Sequence, residues 1–168
     1  MLFRSGSGDD TLEKVTARLL TEQKATISTA ESCTGGYIAH RITTVPGSSN
    51  YYIGSVVAYD NSIKENFLNV PASLIEKYGA VSEEVVHEMA IHVKEKFKTD
   101  YSIACSGIAG PSGGTESKPV GTVHIAIAHP GGVFTAKLML GSERERIIRE
   151  TAYHSLNNLR KILIGEIK

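Results

Sequence analysis

Charge of one sign is what this chain most plainly lacks: eighteen basic and eighteen acidic side chains cancel over 168 residues. Without a net positive field there is no general electrostatic means of recruiting nucleic acid or an anionic membrane. Cysteine is scarce as well. Cys33 and Cys105 are the only two, too few for a disulfide framework, and they read as buried free thiols of a reducing compartment. No run of about 18 apolar residues exists to span a bilayer, and the N-terminus has no apolar signal core. The expectation is a cytoplasmic protein with neither a membrane nor a nucleic-acid partner.

Familiar catalytic signatures are missing too. The glycine-rich stretch from Gly107 to Gly114 lacks the Gly-Lys-Ser/Thr ending of a Walker A loop, which disfavours ATP hydrolysis. There is no Gly-x-Ser-x-Gly elbow and no Ser-x-x-Lys pair of the β-lactamase type. His87 and His92 stand five apart and do not share a helix face well. His124 and His129 have no partners at zinc-binding spacing. Neither a metal nor a cofactor is expected.

What remains reads as one domain over residues 9–168, behind a poorly ordered lead-in at residues 1–8. Asp10 or Thr11 caps a helix bearing Leu12, Val15, Leu19 and Leu20 on one face. The β-branched segment from Ala25 to Thr29 runs as a strand into a first glycine loop, and a helix follows from Tyr37 to about Pro46-Gly47. Tyr51 to Tyr59 favours a strand, and Lys64 to Leu68 a helical turn. Pro71 and Ser73 open a short helix, with Ser73 and Glu76 as its capping pair. Ser82 caps a longer helix, acidic at its start and basic at its end. Tyr101 to Cys105 is an apolar strand. Thr122–Ala128 and Val133–Leu140 flank Pro130-Gly131-Gly132 as a hairpin, and a last helix buries Ile148, Ala152, Leu156, Leu159 and Leu163. This order predicts an α/β fold, a three-layer α/β/α sandwich around a mixed sheet.

The residues that carry chemistry lie between two glycine loops. Gly47-Ser48-Ser49-Asn50 is followed by Tyr59-Asp60-Asn61-Ser62-Ile63-Lys64. A serine hydroxyl becomes a nucleophile only when a base takes its proton, and a lysine is that base only when its pKa is lowered. By themselves Ser48 and Ser49 read as turn residues and Lys64 as a solvated surface residue. The first loop holds Glu31, Thr34, Gly35 and Gly36, and the second holds Gly107, Gly110 and Gly113. Either suits a phosphate or a developing oxyanion, or serves only as a tight connection. Cys33 is a rival nucleophile, since a helix N-terminus lowers a thiol pKa, but no necessary histidine partner lies near it in sequence. Glu31 either balances a cationic substrate ring or holds its own loop. Tyr59 either covers such a ring or belongs to the core.

Six blocks in order, TAESCTGG at 29–36, PGSS at 46–49, AYDNSIK at 58–64, GAVSEEVV at 79–86, SGIAGPSGG at 106–114 and KPVGTVHIA at 118–126, make the chain similar to the CinA C-terminal domain family. That family also exists as a stand-alone nicotinamide mononucleotide amidase. The resemblance implies hydrolysis of the carboxamide of nicotinamide mononucleotide to nicotinic acid mononucleotide and ammonia, without a cofactor, by a homodimer or higher homo-oligomer. It implies Ser49 as nucleophile, Lys64 as base and Ser106 as an assisting hydroxyl. A non-catalytic nucleotide-sensing or partner-binding domain linked to competence and DNA damage is the alternative. The chain departs from the family before its last helix, where Gly-Asp/Asn-Arg is replaced by Gly141-Ser142-Glu143-Arg144-Glu145-Arg146. Which arginine reaches the site is left open.

Overall fold

In the computed structural model, which describes residues 10–167, the chain forms five strands and six α-helices. The lead-in expected at residues 1–8 lies outside the described residues. Helix α1 (Leu12–Glu22) leads to β1 (Ile27–Glu31), α2 (Tyr37–Thr43), a 3-10 turn over Ser48–Asn50 and β2 (Tyr52–Val57). Then come α3 (Asn61–Asn66), α4 (Ala72–Tyr78), α5 (Glu83–Phe97), β3 (Tyr101–Gly107), the hairpin β4 (Thr122–His129) and β5 (Gly132–Met139), and α6 (Arg144–Leu163). Thr11 caps α1 by accepting from the Lys14 N–H, and Ser82 caps α5 by accepting from the Val85 N–H. Helix α4 starts at Ala72 behind Pro71 and has no side-chain cap, so Ser73 lies inside it. In α6 the fully buried isoleucine of the first turn is Ile147, one position before the one expected.

The sheet order is β2-β1-β3-β4-β5. β1 pairs parallel with both β2 and β3, and β4 and β5 add antiparallel. Side chains alternate across a strand, and the two faces of this sheet differ in size. Ala30, Ala104 and Ala126 stand in register on neighbouring strands and pack, with Val56, against Val85, Val86, Met89, Ala90 and Val93 of α5. On the other face Ile27, Ile103, Ile125 and Ile127 pack with Leu20, Ile38, Ile147, Leu156 and Leu159 from α1, α2 and α6. The result is the three-layer α/β/α sandwich around a mixed sheet. No helix among the described residues is long and apolar enough to cross a membrane.

The topology sets where a site forms. β1, β2 and β3 are parallel, so their C-terminal ends share one rim of the sheet. Helix α2 leaves β1 toward the α6 face, whereas the connection after β2 builds α5 on the opposite face. Strands whose connections diverge in this way leave a crevice beyond their carboxyl ends, the usual ligand position in open α/β sheets.

Candidate active site

Beyond β1 the chain turns through Ser32, Cys33, Thr34, Gly35 and Gly36 into α2, with Gly35 and Gly36 at φ of 59° and 98°. A buried carboxylate holds this loop. Glu31 Oε2 accepts from Thr34 Oγ1 at 2.6 Å and from the Ile38 N–H at 2.9 Å. Its Oε1 accepts from the Ala39 N–H at 2.8 Å and from Thr29 Oγ1 at 3.3 Å. Glu31 therefore caps α2 from outside the helix, and of its two expected roles the structure realises the holding one. It also occupies the α2 amides that a ligand phosphate would need. The Ser32, Gly35 and Tyr37 N–H groups donate to the carbonyls of Cys105, Ser32 and Thr34. Those of Cys33 and Thr34 have no carbonyl partner among the described residues. With Gly36, whose N–H likewise donates to no carbonyl among the described residues, these are the amides the first loop leaves for a developing oxyanion.

Lys64 is the largest fully buried side chain of the domain. Asp60 starts α3 by accepting from the Ser62 N–H at 2.9 Å, and this cap turns Lys64 inward. Its Nζ donates to the carbonyls of Ala58 at 2.8 Å and Tyr59 at 3.4 Å. Burial pushes its pKa below the ordinary lysine value, opposed by Asp60, Cys33 and Cys105. A neutral amine keeps two N–H donors and one lone pair. Two carbonyls match the two donors and leave the lone pair for a proton. The Ala58 N–H donates to the Glu31 carbonyl at 2.7 Å, so the Lys64 amine is tied to the residue immediately before Ser32.

Ser32 was not among the expected catalytic residues. It is buried at the carboxyl end of β1, on the rim that carries Lys64, at a strand–loop–helix junction. That junction was the available signal: a serine placed between a β-branched strand and a Gly-Gly helix start. The expected nucleophile Ser49 is elsewhere. It is exposed on the 3-10 turn before β2, and the six residues of that strand separate it from Lys64. At about 3.3 Å per residue the separation is roughly 20 Å. Within one chain the strand stands between the two residues.

Ser106 is buried on β3, and its Oγ donates to the Ala80 carbonyl at 2.8 Å, fastening the segment before α5. Cys33 is buried, and its thiol is held well above the ordinary cysteine value by hydrogen bonding with Cys105 and then by burial. Such a thiol is not an activated nucleophile. Gly107 is required by packing: a Cβ there would stand 2.7 Å from Val123 Cγ2 and 3.0 Å from Cys33 Sγ. Tyr59 is exposed, and its Oη accepts from Arg144 Nη2 at 3.0 Å. Arg144 Nη1 donates to the Gly110 carbonyl at 2.8 Å. Of the two arginines, Arg144 thus joins the second glycine loop to Tyr59 at the site, and Arg146 is exposed. Gly113 lies further out on that loop with φ of 89°. Among the described residues, no three His, Cys, Asp or Glu side chains gather as a metal site.

Known proteins are similar to this chain in sequence and in fold. The family model for the CinA C-terminal domain matches residues 9–163. A CinA-like protein of Cytophaga hutchinsonii is 56% identical over 158 residues, covering 94% of this chain and 38% of its own length. One from Amoebophilus asiaticus is 49% identical over 161 residues, covering 96% of this chain and 39% of its own. The chain thus spans about two-fifths of these curated relatives. A solved structure of the competence/damage inducible protein CihA from Agrobacterium tumefaciens superposes with a TM-score of 0.84 at 34% identity, covering 94% of this chain and 97% of that one. The competence or damage-inducible protein from Enterobacter asburiae gives 0.87 at 30% identity, covering 92% and 99%. With most of its length matched by the family model and by these relatives, the chain belongs to the CinA C-terminal domain family.

Proposed function

We propose that this domain is a metal-independent amidohydrolase that converts nicotinamide mononucleotide to nicotinic acid mononucleotide and ammonia, as its family resemblance implies. The observation that carries the reading is the buried Lys64 amine, held by two carbonyls on the rim of the sheet where Ser32 follows β1. Desolvation lowers a lysine's pKa and so raises the fraction present as the neutral base, and serine is the nucleophile such a base activates.

Ser32 Oγ attacks the carboxamide carbon while neutral Lys64 takes its proton. The Cys33 and Thr34 amides face the oxyanion of the tetrahedral intermediate, and fixed donors of this kind contribute several kcal/mol, about 2.7–4 for one donor in a protease. Lys64 returns the proton to the amide nitrogen, the C–N bond breaks and ammonia leaves. Water then attacks the ester, again giving a proton to Lys64, and Ser32 recovers it as the acid departs. Tyr59 and Arg144 border the place where the substrate's ring and phosphate would lie.

The test is incubation of purified protein with nicotinamide mononucleotide, with ammonia and nicotinic acid mononucleotide followed together. Equal release of both supports the reading. Binding without turnover would instead favour a nucleotide-sensing domain.

A further inference from the structure

Cys33 and Cys105, the only cysteines of the chain, are far apart in sequence and meet in the fold. Glu31 of β1 stands opposite Cys105 of β3, and the Ser32 N–H donates to the Cys105 carbonyl at 3.1 Å. The loop then carries Cys33 over β3. Its Sγ lies 3.0 Å from where a Cβ at position 107 would stand, so Gly107 clears the space the thiol fills. Cys105 is two residues earlier on the same face of that strand, and the two thiols are hydrogen-bonded.

Glu31 fixes the direction of these bonds. The Thr34 hydroxyl donates its one proton to Glu31 Oε2 at 2.6 Å, so toward Cys105 Sγ, at 3.1 Å, it can only accept. The Cys105 S–H therefore donates to Thr34, and its sulfur lone pairs are left for the Cys33 S–H. A directed chain runs from Cys33 through Cys105 and Thr34 to a buried carboxylate. The amidase mechanism uses neither thiol. Outside disulfide-rich secreted scaffolds, a pair that does form a disulfide is ordinarily transient and redox-sensing.

We propose that Cys33 and Cys105 are an oxidation site, where a peroxide joins them in a reversible disulfide that displaces the first glycine loop. Cys33 is 5% exposed and Cys105 fully buried, so the peroxide meets Cys33 first. The Cys33 sulfur takes one peroxide oxygen as the O–O bond breaks, and its proton leaves with the other oxygen as water. The Cys105 sulfur then displaces the hydroxyl from Cys33, and that hydroxyl takes the Cys105 proton to leave as a second water. The pair gives up two electrons and the peroxide takes both. Hydrogen bonding and burial keep Cys33 protonated, so the reaction is slow and answers sustained oxidant rather than a brief pulse.

Bonding brings the sulfurs to about 2.05 Å. β3 is held by β1 on one side and β4 on the other, so the loop is what moves. Oxidation also removes the Cys105 proton that Thr34 accepts, and it shifts the Cys33 and Thr34 amides proposed for the oxyanion. The disulfide stands independently of the amidase reading; the loss of turnover rests on it.

Purified wild-type protein held in hydrogen peroxide, followed by intact mass and peptide mapping, decides the site. The expected product is a single chain lighter by two hydrogen atoms, its Cys33 and Cys105 peptides joined and released again by dithiothreitol. Thiols that survive prolonged treatment, oxygen adducts without joined peptides, or a bridge between chains overturns the site. Turnover of nicotinamide mononucleotide is read on the same samples. Oxidised wild type is expected to lose about tenfold or more and to regain it with dithiothreitol. Cys105→Ser, which keeps a hydroxyl at the thiol's place but forms no bridge, is expected to keep its turnover through the same treatment. Full turnover in bridged protein overturns the displacement, and equal loss in Cys105→Ser overturns its assignment to this pair. If wild-type protein does not hydrolyse nicotinamide mononucleotide, the amidase reading falls alone. Mass still decides the disulfide, and hydrogen exchange then decides the displacement. The Ile38 and Ala39 amides are held by Glu31 at 2.9 and 2.8 Å, and Glu31 is itself held by Thr34. Both amides are expected to exchange about tenfold faster or more in the bridged form, and unchanged exchange overturns the displacement.

Discussion

Lys64 Nζ lies 2.8 Å from the Ala58 carbonyl, and the Ala58 N–H lies 2.7 Å from the carbonyl of Glu31, the residue before Ser32. One residue, Ala58, thus connects the buried amine to the last residue of β1. The position of the amine is thereby coupled to the β1–β2 pairing.

The first prediction concerns that amine. Lys64→Arg keeps a cation but cannot act as a base, and turnover should fall by about three decades or more. The acid limb of the wild-type profile should report loss of the Lys64 proton below the ordinary lysine value of about 10.4. Near-normal turnover in Lys64→Arg would show that position 64 supplies only charge.

Stability should follow the same titration. Burial depresses the folded pKa, so between the folded and unfolded values the unfolded chain binds more protons and stability rises with pH. The contribution is fully present above about pH 10.4 and is lost as pH falls through the folded value. Lys64→Met should therefore be more stable than wild type at neutral pH, with the gap closing toward pH ~10. Urea melts across that range measure it, and a gap independent of pH would contradict a depressed pKa.

Three serine and cysteine variants separate the nucleophile from its neighbours. Ser32→Ala should lose roughly four to six decades of kcat, the scale seen when a nucleophile is removed. Cys33→Ala should remain active, because its thiol is held protonated. Ser49→Ala should change KM more than kcat. If Ser49→Ala were the silent enzyme and Ser32→Ala an active one, the assignment would be reversed.

Glu31 should matter for the fold more than for the chemistry. Glu31→Ala leaves two α2 amides and two hydroxyls without their buried acceptor, at a cost of about 3 kcal/mol or more. Glu31→Gln keeps one acceptor oxygen and should lose about half of that. Thermal melts with circular dichroism check both, and an unshifted Tm in Glu31→Ala would show that the loop holds itself.

Chelation supplies a last check. Prolonged EDTA treatment should leave turnover unchanged, because a lysine fills the role that metal-activated water fills elsewhere. Loss of activity that zinc or magnesium restores would rule out the proposed base.

Local features were legible in the sequence wherever the physics is local. The caps at Thr11 and Ser82, the hairpin around Gly131 and the layered architecture follow from short-range pattern. Lys64 was legible as a candidate through its motif. The nearness of Ser32 to the same rim was not, because separation along the chain misleads here. Ser49 is fifteen residues from Lys64, but an extended strand lies between them. Ser32 is thirty-two residues away, yet parallel pairing of β1 with β2 brings it to the same rim. Strand direction and order are long-range properties that no spacing encodes. The misplaced cap at Ser73 has a smaller cause: Pro71 already fixes the chain at the helix start, so no side-chain cap is needed.

The row of Ala30, Ala104 and Ala126 beneath α5 makes the two sides of the sheet vulnerable in opposite directions. Facing α6, isoleucines can only be trimmed, and each lost methylene opens a void that neighbours partly refill. Beneath α5 there is almost nothing to trim, so variation there must add bulk and wedge the helix outward. The segment leading into that helix carries the Ala80 carbonyl that receives Ser106. Drift on the alanine side therefore reaches the rim that carries Lys64 as displacement, whereas drift on the isoleucine side is absorbed locally as slack.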